Sequence, residues 1–140
     1  MERSFVMIKP DAIEKNLIGK IIGRFEDENL VICTAKLIRA SEAQVKELYT
    51  EHEGKEFYQG LVDFALSGPI MPLVVQGENA VSRIRKIIGK TNPNDASSGT
   101  IRGDFGKGQE LPANIIHASD SQASAEREIL IFFTEDELCR

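Results

Sequence analysis

Short apolar runs separated by stretches of helical period constrain this chain more than any single residue does. The first run, SFVMIK (4–9), is continuous and stops at Pro10, the pattern of a fully buried strand. LIGKIIGRFEDEN (17–29) then sets Ile18, Ile21, Ile22 and Phe25 at i, i+3, i+4 and i+7, which is one face of a helix. LVICTAKLIR (30–39) returns to β-branched and apolar residues and reads as a central strand. Ser41 before EAQVKELY is a good N-cap, and EFYQGLVDFAL (56–66) predicts a second helix. IMPLVVQG (70–77) predicts a strand in which Pro72 suggests an edge or a bulge. ENAVSRIRKIIG (78–89) puts Val81, Ile84 and Ile88 on one helix face, with Gly89 as its C-cap. A short helix at 121–128 and a strand ILIFF at 129–133 end the pattern.

The order is β-α-β-(α-α)-β-α-loop-α-β. Without the inserted helices it is βαββαβ, so the expected fold is an α+β, ferredoxin-like sandwich. That plan hosts many functions and decides none. The 140 residues fit one domain spanning 1–140, with no internal repeat or linker. Residues 90–113 stand apart. They are rich in Thr, Asn, Pro, Ser and Gly, and an irregular run of that length inside a compact domain is usually functional.

Lys and Arg number 17 and Asp and Glu 22, a net charge of -5 that argues against a general nucleic-acid binder. It leaves a nucleotide site open, because a few placed arginines suffice for phosphates. Cys33 and Cys139 form no CxxC pair, so neither a disulfide framework nor a zinc site is expected, and a reducing compartment fits. MERSFVMIKPD holds no long apolar segment, so a cytoplasmic protein without a membrane span is expected.

Two short matches carry nothing. GKT at 89–91 needs a glycine five residues before Gly89, where Ile84 stands. DFG at 104–106 lacks the companions and the chain length of a protein kinase.

His117, in NIIHASDS, is the sharper case. On its residues alone it stays open between a packed structural histidine, the commoner occurrence, a metal ligand and a nucleophile. A zinc site wants several converging ligands, and only one other histidine, His52, exists. A nucleophile wants room, an orienting partner and cations to receive a phosphate. Ala118 and Ser119 leave room, and Glu128, eleven residues on across a short helix, can fold back to the unreactive ring nitrogen. Arg83, Arg85, Lys86 and Lys90 precede the irregular loop, and Arg102 lies inside it. Each alone is most simply a solvated charge, but arginine forks and threonine hydroxyls are also the usual holders of polyphosphates.

NIIHASDS, together with MIKPDA, YTEHEGKEFY, SGPI, GKTNPNDA and GTIRGDF, resembles the nucleoside diphosphate kinase family along essentially the whole chain and in family order. The resemblance implies transfer of the γ-phosphate of a nucleoside triphosphate, typically ATP, to a nucleoside diphosphate. It implies a ping-pong route through a phosphohistidine on Nδ1 of His117. By the same resemblance Glu128 steadies the ring and Ser119 lies beside it. Lys9 and Asn114 reach the sugar hydroxyls and phosphates, Tyr49 supports Lys9, and Phe57 stacks on the base. His52, Arg85, Thr91 and Arg102 hold phosphates. Mg²⁺ comes with the nucleotide, held by phosphates and water rather than directly by side chains, and a homo-oligomer (dimer, tetramer or hexamer) is implied.

The chain departs from the family in GKGQELPA (106–113), about two residues longer than usual, and in KEFY where RPFF is more frequent. Two other classes remain as alternatives. A nucleic-acid-binding ferredoxin-like module would want exposed aromatics on the sheet and a basic face. A catalytically inactive relative would act by protein contacts.

Overall fold

The computed structural model describes Met1–Arg140. Its strands are β1 (Glu2–Ile8), β2 (Val31–Ala35), β3 (Met71–Gly77) and β4 (Ile116–Ala118). Its helices are α1 (Pro10–Glu14), α2 (Ile18–Asp27), α3 (Glu42–Leu48), α4 (Tyr58–Leu66), α5 (Ala80–Ile88), α6 (Ile101–Phe105) and α7 (Gln122–Phe132). The strands form one antiparallel sheet in the order β2-β3-β1-β4, the ferredoxin-like arrangement.

Strand alternation divides the interior in two. From β1, Val6 and Ile8 face one side, where Ile21 and Phe25 of α2, Ile84 and Ile88 of α5 and Ile101 of α6 pack. Phe5 and Met7 face the other, against Val45 and Leu48 of α3, Val62 of α4 and Ile129 and Phe132 of α7. β1 is therefore covered on both faces, as its unbroken apolar run requires. Ser41 caps α3 with a reciprocal pair: its hydroxyl accepts from Gln44 N and its own N–H donates to Gln44 Oε1. Gly89 ends α5 at φ +92°, where an added Cβ would also meet Thr100 Oγ1 at 2.6 Å.

Four expectations are corrected. ILIFF (129–133) is not a strand: α7 runs on through it to Phe132, and the fourth strand is the three-residue β4 that carries His117. The residues explain this, because Ala125, Ile129 and Phe132 are buried at i, i+4 and i+7 while Leu130 is 63% exposed. Second, β2 is an edge strand and β3 a central one, the reverse of the expectation. β2 is only half-buried, whereas β3 is buried along most of its length. Third, Pro72 interrupts nothing. Its carbonyl accepts from Lys36 N just past the end of β2, so its missing donor faces the point where that ladder stops. The register shift lies instead on β2, between Ile32 and Thr34. Fourth, the irregular run 90–113 contains a 3₁₀ turn, Pro93–Asp95, and helix α6, capped by the Thr100 hydroxyl accepting from Gly103 N. Gly103 is required there, because a Cβ would run into the Ser97 carbonyl.

Candidate active site

Lys9 just after β1, the α3–α4 connection, the end of α5, helix α6 and strand β4 surround a cleft of about 730 Å³. Lys9, Tyr49, His52, Phe57, Arg85, Thr91, Arg102, Asn114, His117 and Glu128 all line it. Ser119 is fully buried behind His117. All eleven residues to which the family resemblance gives a role thus lie in or directly behind one cavity, whereas the neighbouring cations Arg83, Lys86 and Lys90 do not line it.

His117 is the middle residue of β4, opposite Met7 of β1. Its flanking residues Ile116 and Ala118 pack into the α2–α5 core, which turns the imidazole to the other face of the sheet. There the Phe5 ring lies 5.9 Å away and Tyr49 meets the imidazole edge-on at 5.8 Å and 88°. Nε2–H donates to Glu128 Oε1 at 2.6 Å, and the Ser119 hydroxyl donates to the same oxygen at 2.9 Å. An ionised carboxylate only accepts, so Glu128 places the ring proton on Nε2 and leaves the lone pair on Nδ1. Arg127 Nη2 approaches the second carboxylate oxygen at 3.5 Å while its Nη1 donates to Glu47 O at 2.7 Å, tying α7 to α3.

Arg102 is buried and directs three nitrogens at backbone carbonyls: Nε at Asn114 O (3.1 Å), Nη1 at Gly89 O (3.1 Å) and Nη2 at Ile116 O (2.6 Å). A guanidinium has five N–H donors, so two remain for a ligand. Burial, then the neighbouring Arg85, lowers its pKa to about 10, which still leaves it cationic at neutral pH. Arg85 Nη1 donates to Ala118 O at 3.2 Å.

Lys9 Nζ donates to Asn114 Oδ1 at 2.6 Å and to Pro112 O at 3.3 Å, and Asn114 Nδ2 donates to Thr91 O at 3.0 Å. Burial first, and Arg102 second, bring the Lys9 pKa down to about 7 against the opposing pull of Asp11. The Tyr49 hydroxyl is buried without a hydrogen-bond partner, so it makes no direct bond to Lys9; burial pushes its pKa up. His52 is held below its ordinary value by burial and then by Lys55, whose Nζ sits 3.3 Å from His52 Nδ1. Phe57 is 54% exposed beside His52, an aromatic face open at the cleft mouth.

Sequence reasoning gave no role to several residues found here. Leu111 and Leu61 add apolar lining, and Glu51 and Asp120 add carboxylates. Asp11 accepts from the backbone N–H of Ile115. Leu111 belongs to the lengthened loop and Asp11 to the motif MIKPDA, but neither has a periodicity or spacing that marks it. No three His, Cys, Asp or Glu side chains converge as a metal site.

The cleft pairs an oriented imidazole with two arginines, a buried lysine and an aromatic platform. These are the parts for transferring a phosphoryl group to a histidine. Comparison with known proteins gives the family. The family model of nucleoside diphosphate kinase matches residues 2–138. The chain is 55% identical to the nucleoside diphosphate kinase of Methanocaldococcus jannaschii, over 98% of this chain and 96% of that one. It is 53% identical to the Bacillus licheniformis enzyme of the same name, over 99% and 92%. A halophilic nucleoside diphosphate kinase from Halobacterium salinarum, solved in complex with CDP, superposes with TM-score 0.94 at 44% identity, covering 99% of this chain and 91% of that one. The Aquifex aeolicus enzyme superposes with TM-score 0.92 at 39% identity, over 98% of each chain.

Proposed function

Because the chain belongs to the nucleoside diphosphate kinase family, we propose that His117 is the group that carries its phosphoryl intermediate. The enzyme transfers the terminal phosphate of a nucleoside triphosphate to a nucleoside diphosphate, by a ping-pong route. The observation that carries the assignment is the division of labour on the imidazole: Nε2 is committed to Glu128, and Nδ1 is not bonded within the chain.

Nδ1 of His117 attacks the γ-phosphorus, forming a P–N bond as the bond from phosphorus to the β,γ-bridging oxygen breaks. The diphosphate leaves with that oxygen and its charge. Positive charge grows on the ring as the P–N bond forms, and the Glu128 carboxylate, 2.6 Å from Nε2, offsets it without taking the proton. In the second half-reaction a β-phosphate oxygen of the acceptor attacks the same phosphorus and the P–N bond breaks, restoring neutral His117. Arg85, Thr91, His52 and the two unspent donors of Arg102 hold the phosphates in line. Lys9 and Asn114, already bonded to one another, present donors to the sugar hydroxyls and phosphates, and the Tyr49 hydroxyl adds a donor beside them. Phe57, with Leu61 and Leu111, offers an apolar surface that any base can stack on, so discrimination between bases is weak.

Mg²⁺ fits this cleft as a companion of the nucleotide: Glu51 and Asp120 suit its water shell, while phosphate oxygens supply the direct ligands. When bound, it adds neutralising charge to the phosphates. We place the work, with ATP as usual donor, in the cytoplasm, as a function of residues 1–140 acting as one domain. We also expect a homo-oligomer, as the family resemblance implies.

The test is labelling. Incubation with γ-labelled ATP should put an acid-labile, base-stable label on the protein, and a diphosphate should remove it. His117→Ala should abolish both steps. A His117→Ala protein that makes triphosphate at the parent's rate would overturn the assignment.

A further inference from the structure

The three residues before the nucleophile form a turn that the chain does not adopt unaided. Ile116 N–H donates to Asn114 O at 2.8 Å, an i→i+2 bond, and the central residue Ile115 has φ +75°. That is the rare, strained form of the γ-turn. A β-branched residue at such a φ is an outlier that surrounding structure has to hold in place. Ile115 is fully buried, so no solvent contact helps.

The hold comes from the segment after β1. Lys9 N–H donates to Ile115 O at 2.9 Å, and Ile115 N–H donates to Asp11 Oδ2 at 2.9 Å. Both backbone groups of the strained residue are thus taken by residues 9–11. The same carboxylate oxygen accepts from Gln109 Nε2 at 2.9 Å, which fastens the lengthened loop to the same point. Asp11 is itself buried, and its other oxygen, Oδ1, has no partner. A buried carboxylate with one oxygen unpaired is costly, and here its structural return is one turn and one loop.

We propose that Asp11 is a positioning residue for phosphoryl transfer: its carboxylate holds Ile115 in the strained turn and so sets the relation of His117 to Lys9 and Asn114. The inference rests on His117 as the phosphoryl carrier. Asn114, on one side of Ile115, bonds Lys9; His117 lies two residues beyond it on the other side. If Ile115 relaxes to an ordinary φ, these two ends turn relative to one another. A displacement near 1 Å at a reacting atom costs roughly a hundredfold in rate. Gln109 holds the loop but not the turn, so its loss should matter far less.

The experiment compares Asp11→Ala, Asp11→Asn and Gln109→Ala by rapid-quench labelling with γ-labelled ATP, well below each variant's Tm and with folding checked by circular dichroism. Asp11→Ala should phosphorylate His117 roughly ten- to a hundredfold more slowly at saturating ATP, so that kcat falls by more than KM changes. Asp11→Asn keeps an acceptor for Ile115 N–H and should recover most of the rate, and Gln109→Ala should stay within about threefold of the parent. Two results would overturn the proposal. One is a folded Asp11→Ala protein labelled at the parent's rate. The other is an Asp11→Asn protein as slow as Asp11→Ala, because charge felt at Lys9 would then be the cause. If the parent itself takes no label, the assignment of His117 fails instead, and the two failures are distinct.

Discussion

Raising the pH above neutrality should weaken nucleotide binding through Lys9, and the size of the effect follows from its burial. Without a ligand, burial and Arg102 put the Lys9 pKa at about 7, so at pH 8 only about 0.1 of the molecules carry its proton. A polyphosphate set against Nζ supplies the anionic charge the pocket lacks and returns the group toward the ordinary lysine value of 10.5. Binding at pH 8 then draws about 0.9 of a proton from solvent, and Kd rises about tenfold per pH unit between the two pKa values. Folding stability runs the opposite way. Between pH 7 and 10.5 the unfolded chain binds more protons at this lysine than the folded one, so the ligand-free protein becomes more stable as pH rises. Calorimetric titration with MgADP at pH 8, in two buffers of different ionisation enthalpy, reads the proton directly, since the diphosphate is already fully ionised there. Lys9→Gln is the control and should abolish the uptake. An uptake below about 0.2, or one that persists in Lys9→Gln, would refute the reasoning.

Two further outcomes bear on the site. Glu128→Gln keeps an acceptor for Nε2–H but loses the charge that faces the phosphorylated ring. It should slow labelling of His117 by roughly ten- to a hundredfold with little change in KM, and an unchanged single-turnover rate would remove Glu128 from the chemistry. Phe57→Ala should weaken binding of purine and pyrimidine diphosphates alike, by about 1–3 kcal/mol in equilibrium titration, and a loss confined to one base would contradict a stacking role.

What could be read in advance divides along physical lines. Elements whose burial is set by their own periodicity were legible: β1 from its unbroken apolar run, α2 and α5 from their single apolar faces, the end of α5 from Gly89. The cleft residues were legible through motifs, because phosphate chemistry restricts residue type tightly. Elements decided by neighbours were not. ILIFF has the composition of a strand, and only its packing on β1 makes it the end of α7. The edge and centre of the sheet depend on which strand β1 pairs with, which no local pattern records. Helix α6 is five residues long and is held by Thr100, by Gly103 and by the Arg102 bonds to three distant carbonyls.

The placement of His117 on so short a strand sharpens the point about Asp11. β4 is an edge strand paired to β1 through three residues, Val6 with Ala118, Met7 with His117 and Ile8 with Ile116. A slip of one residue would turn His117 into the α2–α5 core and bring Ile116 or Ala118 to the face where Glu128 waits. Three ladder pairs give little resistance to such a slip, and the apolar residues on either side of His117 would tolerate it in part. The register is therefore fixed mainly from outside the strand. Arg102 holds the carbonyls of Asn114 and Ile116, Lys9 N–H and Asp11 hold the two backbone groups of Ile115, and Ser119 N–H donates to Phe5 O at 3.0 Å on the far side. The strained turn marks the point where these bonds override the local preference of the chain. It lies two residues from the nitrogen whose aim the reaction needs.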